Sequence, residues 1–144
     1  MGVRSTPILC FIKIGKMKIA IIGAGNMGGA IARSLVASQF QKEDVAEGCM
    51  LRPSDITCTA RSAETLQKFK VAGFDVATDN QGAVKNADMV IFAVKPWLME
   101  EVVRDVAPYM DLSHQIVASV AAGVTFSQLS EWIGGSVAMF RVIP

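Results

Sequence analysis

The chain has 144 residues, near the size of a single domain, with 51% apolar and 19% charged residues. That balance excludes an intrinsically disordered chain and leaves enough apolar surface for one real core. A formal net charge of +1, with no Lys/Arg cluster, excludes a basic field able to attract nucleic acid.

Residues 1–16, MGVRSTPILCFIKIGK, read as an N-terminal extension or a cloning remnant. PILCFIKI is too short to span a membrane, and Lys13 interrupts it. No A-x-A-like cleavage site follows. A short extra edge strand is the alternative reading. Met17 stands directly before the first regular element and reads as the natural start, with 17–144 forming one domain.

Ile19, Ala20, Ile21 and Ile22 then form a continuous apolar run, which suits a strand buried on both faces of a parallel sheet. Gly23, Gly25 and Gly28 spell G-x-G-x-x-G. From Met27 onward the apolar residues Met27, Ala30, Ile31 and Leu35 recur three and four apart, as on a helix. Glycines at this spacing between a strand and a helix form the dinucleotide-binding fingerprint. Gly23 permits the tight turn, Gly25 lets the backbone approach a pyrophosphate, and Gly28 lets the helix pack close to the sheet. The unpaired amides at the helix start, with the positive end of its dipole, face the phosphates.

Strands near 18–23, 55–60, 74–77, 88–94, 115–120 and 136–142 alternate with helices near 26–39, 62–71, 81–86, 97–109 and 125–133. This alternation predicts an α/β chain with right-handed crossovers and helices on both faces. The expected architecture is a Rossmann-type doubly wound sheet of about six parallel strands in the order 3-2-1-4-5-6. Ser62 is placed to cap the second helix and Gly73 to end it. Pro96 stands at the first helical position after DMVIFAV, and Thr125 caps the last helix. Ala121, Ala122 and Gly123 form a second close-approach loop at the same edge of the sheet. The long connection Gln41–Pro53 lies at the opposite edge and has no expected part in the chemistry.

The second strand decides the nucleotide. NAD-reading domains usually end it with Asp or Glu, which binds the ribose 2′-hydroxyl. Here ITCT runs into Ala60-Arg61-Ser62 with no acid. Asp55 stands at the other end of that strand, about 15 Å away at ~3.3 Å per residue. An arginine fork and a hydroxyl suit a 2′-phosphate, so Arg61 and Ser62 predict NADP(H), with NAD(H) as the alternative.

Cys10, Cys49 and Cys58 are odd in number and lack C-x-x-C spacing, which indicates neither a disulfide framework nor a zinc site. Cys58 reads as a core residue, and a reducing, cytoplasmic setting fits all of them. His114, the single histidine, falls in a polar turn. No catalytic dyad and no metal-ligand cluster is legible.

Further segments carry a family resemblance: GAGNMGGAI is followed by TARS, ATDN (77–80), AVKP (93–96), SVAAGV (119–124) and RVIP (141–144). In this order and spacing, from Met17 to the last residue, the chain resembles the N-terminal NADP-binding domain of pyrroline-5-carboxylate reductase, the last enzyme of proline biosynthesis. The resemblance implies reduction of the imine of 1-pyrroline-5-carboxylate to L-proline with NAD(P)H. It implies that Gly23, Ala24, Gly25, Asn26, Met27 and Gly28 hold the pyrophosphate, and that Arg61 and Ser62 face the adenosine ribose. Asn80 would contact the adenine side. Ala93, Val94, Lys95 and Pro96 would line the cofactor, and Ala121, Ala122 and Gly123 would approach the nicotinamide. A protonated imine is already an electrophile, so alignment with a hydride donor explains why no acid–base pair is visible.

In the family, RV-x-P leads into Asn-Thr-Pro and a helical dimerisation domain that grips the substrate carboxylate. That domain is not in this sequence, so the chain alone is expected to bind cofactor with little or no reductase activity. A surface around Phe140, Val142 and Ile143 is expected to be left exposed, and the protein is expected to be a homo-oligomer. The alternatives are another NADP-dependent oxidoreductase domain, of the deazaflavin-dependent or β-hydroxyacid dehydrogenase type, and a non-catalytic nucleotide-sensing module.

Overall fold

Ile19–Ile22 form β1, and every residue of it is buried, as the unbroken apolar run required. The computed structural model describes residues 17–37 and 51–142. The N-terminal extension, most of the Gln41–Pro53 connection, Cys10, Cys49, and Ile143 with Pro144 lie outside the described residues.

After β1 come α1 (Asn26–Ala37), β2 (Ile56–Thr59), α2 (Ala63–Val71), β3 (Asp75–Ala77), α3 (Asn80–Lys85), β4 (Met89–Phe92), α4 (Met99–Val106), β5 (Ile116–Ser119), α5 (Phe126–Ile133) and β6 (Ala138–Arg141). The strands pair in the order β3-β2-β1-β4-β5-β6, each neighbour parallel. In register, Ile22 lies beside Thr59 on one side and Phe92 on the other. The carboxyl ends of β1, β2 and β4 therefore share one edge.

The strand residues divide by alternation between two cores. Ile19, Ile21, Ile56, Cys58, Ile91 and Ala118 face Ala24 and Ala32 of the first turn and α1, and Phe69 of α2. Ala20, Ile22, Val90, Phe92 and Val117 face Val84 of α3, Val103 of α4 and Leu129 of α5. Helices thus cover both faces, as predicted.

Most boundaries follow local chemistry. Ser62 caps α2, its Oγ accepting the Thr65 amide at 3.4 Å. Gly73, at φ 94°, follows the helix where an L side chain would be strained. Thr125 and Gln128 form a reciprocal capping box at the start of α5.

The helix expected over 97–109 is three pieces: a 3-10 turn at Pro96–Leu98, α4 itself, and a second 3-10 turn at Ala107–Tyr109. Pro108 has no amide proton and its ring crowds the carbonyl four residues back, which ends the α-helical ladder at Val106. The apolar stripe read on α1 meets the core only in part. The residues of α1 buried against the sheet are Gly28, Gly29 and Ala32. Ile31 and Leu35 pack, partly buried, against the same core, and with Met27, Ala30, Val120 and Val142 they also line an open apolar groove of about 400 Å³.

That groove is continuous with the edge strand β6. Met139 packs into the α4/α5 core, so by alternation Ala138, Phe140 and Val142 face the other side. No helix among the described residues covers them, and Phe140 and Val142 are exposed.

Candidate functional site

The glycine turn is held from below by one residue of β2. The Gly23 amide donates to Thr59 Oγ1 at 3.2 Å, and the Ala24 amide donates to the Thr59 carbonyl at 2.6 Å. Gly25 N–H closes back onto the Gly23 carbonyl at 2.8 Å, and the first bond of the helical ladder runs from Gly29 N–H to the Gly25 carbonyl at 2.9 Å. The amides of Asn26, Met27 and Gly28 precede that ladder and point off the helix start, where the dipole is positive.

Each glycine of the motif has its own physical reason. Gly23 sits at φ 90°, and a Cβ there would lie 2.6 Å from Val94 Cγ1. At Gly28 a Cβ would collide with the Gly23 carbonyl oxygen and press on Ala93 at 3.1 Å, so glycine is what brings α1 onto the sheet. At Gly25 a Cβ would meet nothing within 4 Å. Nothing in the protein demands glycine there, which is the pattern of a surface kept bare for a ligand.

Beside the turn lies a cleft of about 340 Å³ between the carboxyl ends of β1, β2 and β4. Of the sequence-predicted residues, Gly23, Arg61, Asn80 and Val94 line it. Arg61 is exposed and makes no ion pair among the described residues, and no carboxylate lines the cleft. Ser62 follows Arg61 as the N-cap of α2, so its oxygen is already an acceptor while its hydroxyl proton remains available. Asn80 opens α3, whose preceding Asp79 accepts the Gln81 and Gly82 amides, each at 3.0 Å. Asp79 is thereby occupied with the helix start rather than with the cleft.

The remaining predicted residues are placed less uniformly. The Ala93 amide donates to the Ile22 carbonyl at 2.9 Å, securing the end of β4. Lys95 and Pro96 follow it, exposed, at the start of the 3-10 turn. Ala121, Ala122 and Gly123 continue from β5 along the same edge. Ala121 N–H donates to Ser119 Oγ at 3.3 Å, and Gly123 turns at φ 77°. They do not line the cleft. Met27 directs its side chain into the apolar groove, so only its amide belongs to the turn.

Thr59, Thr78, Leu98 and Val102 line the cleft and were not singled out from sequence. Thr59 opens TARS, one of the segments that carries the resemblance, and ends β2 in register with Ile22.

Other candidate groups lie elsewhere. Burial pushes the Cys58 thiol up to about 12 against the opposing pull of Arg33, so it is no nucleophile near neutrality. His114 sits at the opposite edge of the sheet, exposed, its Nδ1 2.9 Å from both Ser113 Oγ and Asp111 Oδ2. Asp55 lies at that edge too, paired with Lys18. Among the described residues no cluster of His, Cys, Asp and Glu could hold a metal ion. No described helix is long and apolar enough to cross a membrane.

The profile of the family described as NADP oxidoreductase, coenzyme F420-dependent, matches residues 18–123, well over half of the chain. The chain belongs to that NADP oxidoreductase family. The match takes in β1, the glycine turn, the end of β2, AVKP and the loop after β5. Several sequence relatives are pyrroline-5-carboxylate reductases. The pyrroline-5-carboxylate reductase of Vibrio alginolyticus is 34% identical over 128 residues, covering 88% of this chain and 43% of the relative. Pyrroline-5-carboxylate reductase 3 of Danio rerio is 30% identical over 129 residues, covering 90% and 41%. The solved structure of a pyrroline-5-carboxylate reductase from Coxiella burnetii superposes with a TM-score of 0.74 at 31% identity, covering 90% of this chain and 44% of that one. The chain thus spans about two fifths of the length of the curated relatives it matches. The resemblance read from the sequence motifs extends to the fold.

Proposed function

We propose that residues 17–144 form the NADP(H)-binding domain of a pyrroline-5-carboxylate reductase. The observation that carries this is the bare flank of Gly25 beside the unladdered amides of Asn26, Met27 and Gly28, next to a cleft that offers Arg61 and, among the described residues, no acid. These groups fit a pyrophosphate and a 2′-phosphate by donor chemistry and by space. Arg61 and Ser62 take the 2′-phosphate, Asn80 the adenine side, and Val94 with Leu98 the apolar wall. Ala93, Lys95 and Pro96, with Ala121, Ala122 and Gly123, border the nicotinamide end. NADPH, when bound, supplies a hydride to the imine carbon of 1-pyrroline-5-carboxylate, giving L-proline. The domain's own contribution is to bind and orient, which suits an electrophile that needs no acid–base pair from this half of the enzyme.

The family description favours one other reading, hydride exchange between NADP and a deazaflavin such as coenzyme F420. Relatives that match the chain over about nine tenths of its length are pyrroline-5-carboxylate reductases, which supports the imine reading over it and over a purely sensing module. The same reading makes the protein a cytoplasmic homo-oligomer, with Phe140, Val142 and the apolar groove as the surface that becomes covered. A strictly monomeric sedimentation profile would count against that last part.

Calorimetric titration of the chain with NADPH and with NADH tests the cofactor half. Saturable binding of NADPH, tighter than that of NADH, is the expected result. Absence of heat with either nucleotide, together with no thermal stabilisation, overturns it.

A further inference from the structure

We propose that Thr59 is a positioning residue for the cofactor: its hydroxyl sets the height of the glycine turn, and thereby the aim of the amides that receive the pyrophosphate. The inference rests on the NADP(H) reading above and assigns a role that the fingerprint glycines do not explain.

Thr59 is a buried polar residue, 2% exposed, and it borders the cleft. It meets the turn twice, through Oγ1 to the Gly23 amide and through its carbonyl to the Ala24 amide. The carbonyl bond survives any substitution. The hydroxyl bond is specific to Thr or Ser. The Gly23 amide points toward β2, onto Thr59 Oγ1, and the chain turns at Gly23 with φ 90°. Without Oγ1 the part-buried Gly23 amide loses the acceptor that fixes it, and the turn shifts toward another. The shift would be carried directly to Gly25, whose amide bonds the Gly23 carbonyl, and so to the start of α1. A displacement of this kind alters where the Asn26, Met27 and Gly28 amides point while leaving the Arg61 and Asn80 side of the cleft in place.

The test uses the full chain and four forms: the parent, Thr59→Val, Thr59→Ser and Thr59→Ala. Valine keeps the branched shape and strand preference and removes only the acceptor. Two probes separate positioning from general loosening. NADPH needs the pyrophosphate cradle. Adenosine 2′-monophosphate, followed by NMR titration, occupies the Arg61 side and has no pyrophosphate. Thr59→Val is expected to weaken NADPH about tenfold, the scale of one buried hydrogen bond left unmade, and to leave the monophosphate within about twofold. Thr59→Ser is expected to restore NADPH binding to within about threefold of the parent. Should Thr59→Val not fold, Thr59→Ala is read by the same criteria. Unchanged NADPH affinity in the valine form, equal losses for both probes, or a serine form as weak as valine each overturn the positioning role. A parent chain that binds neither probe overturns the NADP(H) reading itself.

Discussion

Lys18 and Asp55 meet across the first two strands at the edge of the sheet opposite the cleft, Nζ to Oδ1 at 3.0 Å. Asp55 is buried, and its other oxygen accepts the Arg52 amide at 2.9 Å. Burial works to raise this carboxyl, but the Arg52 amide and the Lys18 ammonium outweigh it and hold the group below the ordinary carboxylate range. A carboxyl that ionises more readily when folded stabilises the fold above its unfolded value, and that stability drains away as pH falls through the folded value. Urea unfolding followed from about pH 7 to pH 3 is expected to show the loss below about pH 4. Asp55→Asn should lower stability near neutrality by about 1–2 kcal/mol and flatten the acid limb. Asp111, held low chiefly by the Ser113 hydroxyl and then by His114, titrates in the same direction and accounts for part of the slope that remains.

Gly25 and Gly28 separate fold from ligand. Gly28→Ala drives a methyl into the Gly23 carbonyl and is expected to destabilise the chain by about 1–3 kcal/mol, seen as a lower urea midpoint. Gly25→Ala adds a methyl to open space at an ordinary backbone angle, so the urea midpoint should hold. The same methyl then occupies the bare flank, and NADPH affinity should fall at least about tenfold. A Gly25→Ala form that binds NADPH like the parent would remove the cradle from the argument.

What could be read from the residues, and what could not, follows from how each feature is encoded. β1, the turn and α1 were legible because a double-faced apolar run, a glycine spacing and a helical period coincide within a short window. The strand order followed from the βαβ rules once six strands alternated with helices. The missing acid after β2 was legible because one position decides it. The packing of α1 was legible only in part. Its fully buried contacts are made by Gly28, Gly29 and Ala32, whose small side chains leave no mark in a hydrophobic pattern, while Ile31 and Leu35 of the conspicuous stripe pack partly against the core and, with Met27, also line the groove. Thr59 was hidden for a related reason. A threonine in a strand is read as a β-former, and only tertiary contact shows its hydroxyl beneath Gly23.

Gln115 carries a prediction independent of any ligand. It is buried at the start of β5, and its Nε2 donates to the carbonyls of Val84 at 2.5 Å and Ala87 at 2.8 Å. Its Oε1 accepts the Asp111 amide at 3.0 Å. One side chain thus closes the end of α3 against the turn before β5. Gln115→Leu fills similar space but removes the side-chain partners of the Ala87 carbonyl and the Asp111 amide, while the Val84 carbonyl keeps the Asn86 and Ala87 amides, and it is expected to destabilise the chain by about 1–3 kcal/mol in urea. NADPH affinity should stay within about twofold, because the cleft is at the other edge of the sheet.

Arg61 tests the choice of nucleotide. Among the described residues it is the one basic side chain lining the cleft, and no carboxylate lines it. A guanidinium on a phosphate makes charge-assisted bonds worth about 1.5–3 kcal/mol, so Arg61→Ala should weaken NADPH by about 10- to 100-fold. NADH lacks the 2′-phosphate and should change by less than about threefold, since only the packing of the arginine stem is lost. Arg61→Lys should fall between, because an ammonium keeps the charge without the two-pronged geometry. The ratio of the two affinities is the quantity to follow. A uniform loss for both nucleotides would mean that Arg61 shapes the cleft wall and reads nothing, and the preference for NADP(H) would then have to come from Ser62 and the α2 amides behind it.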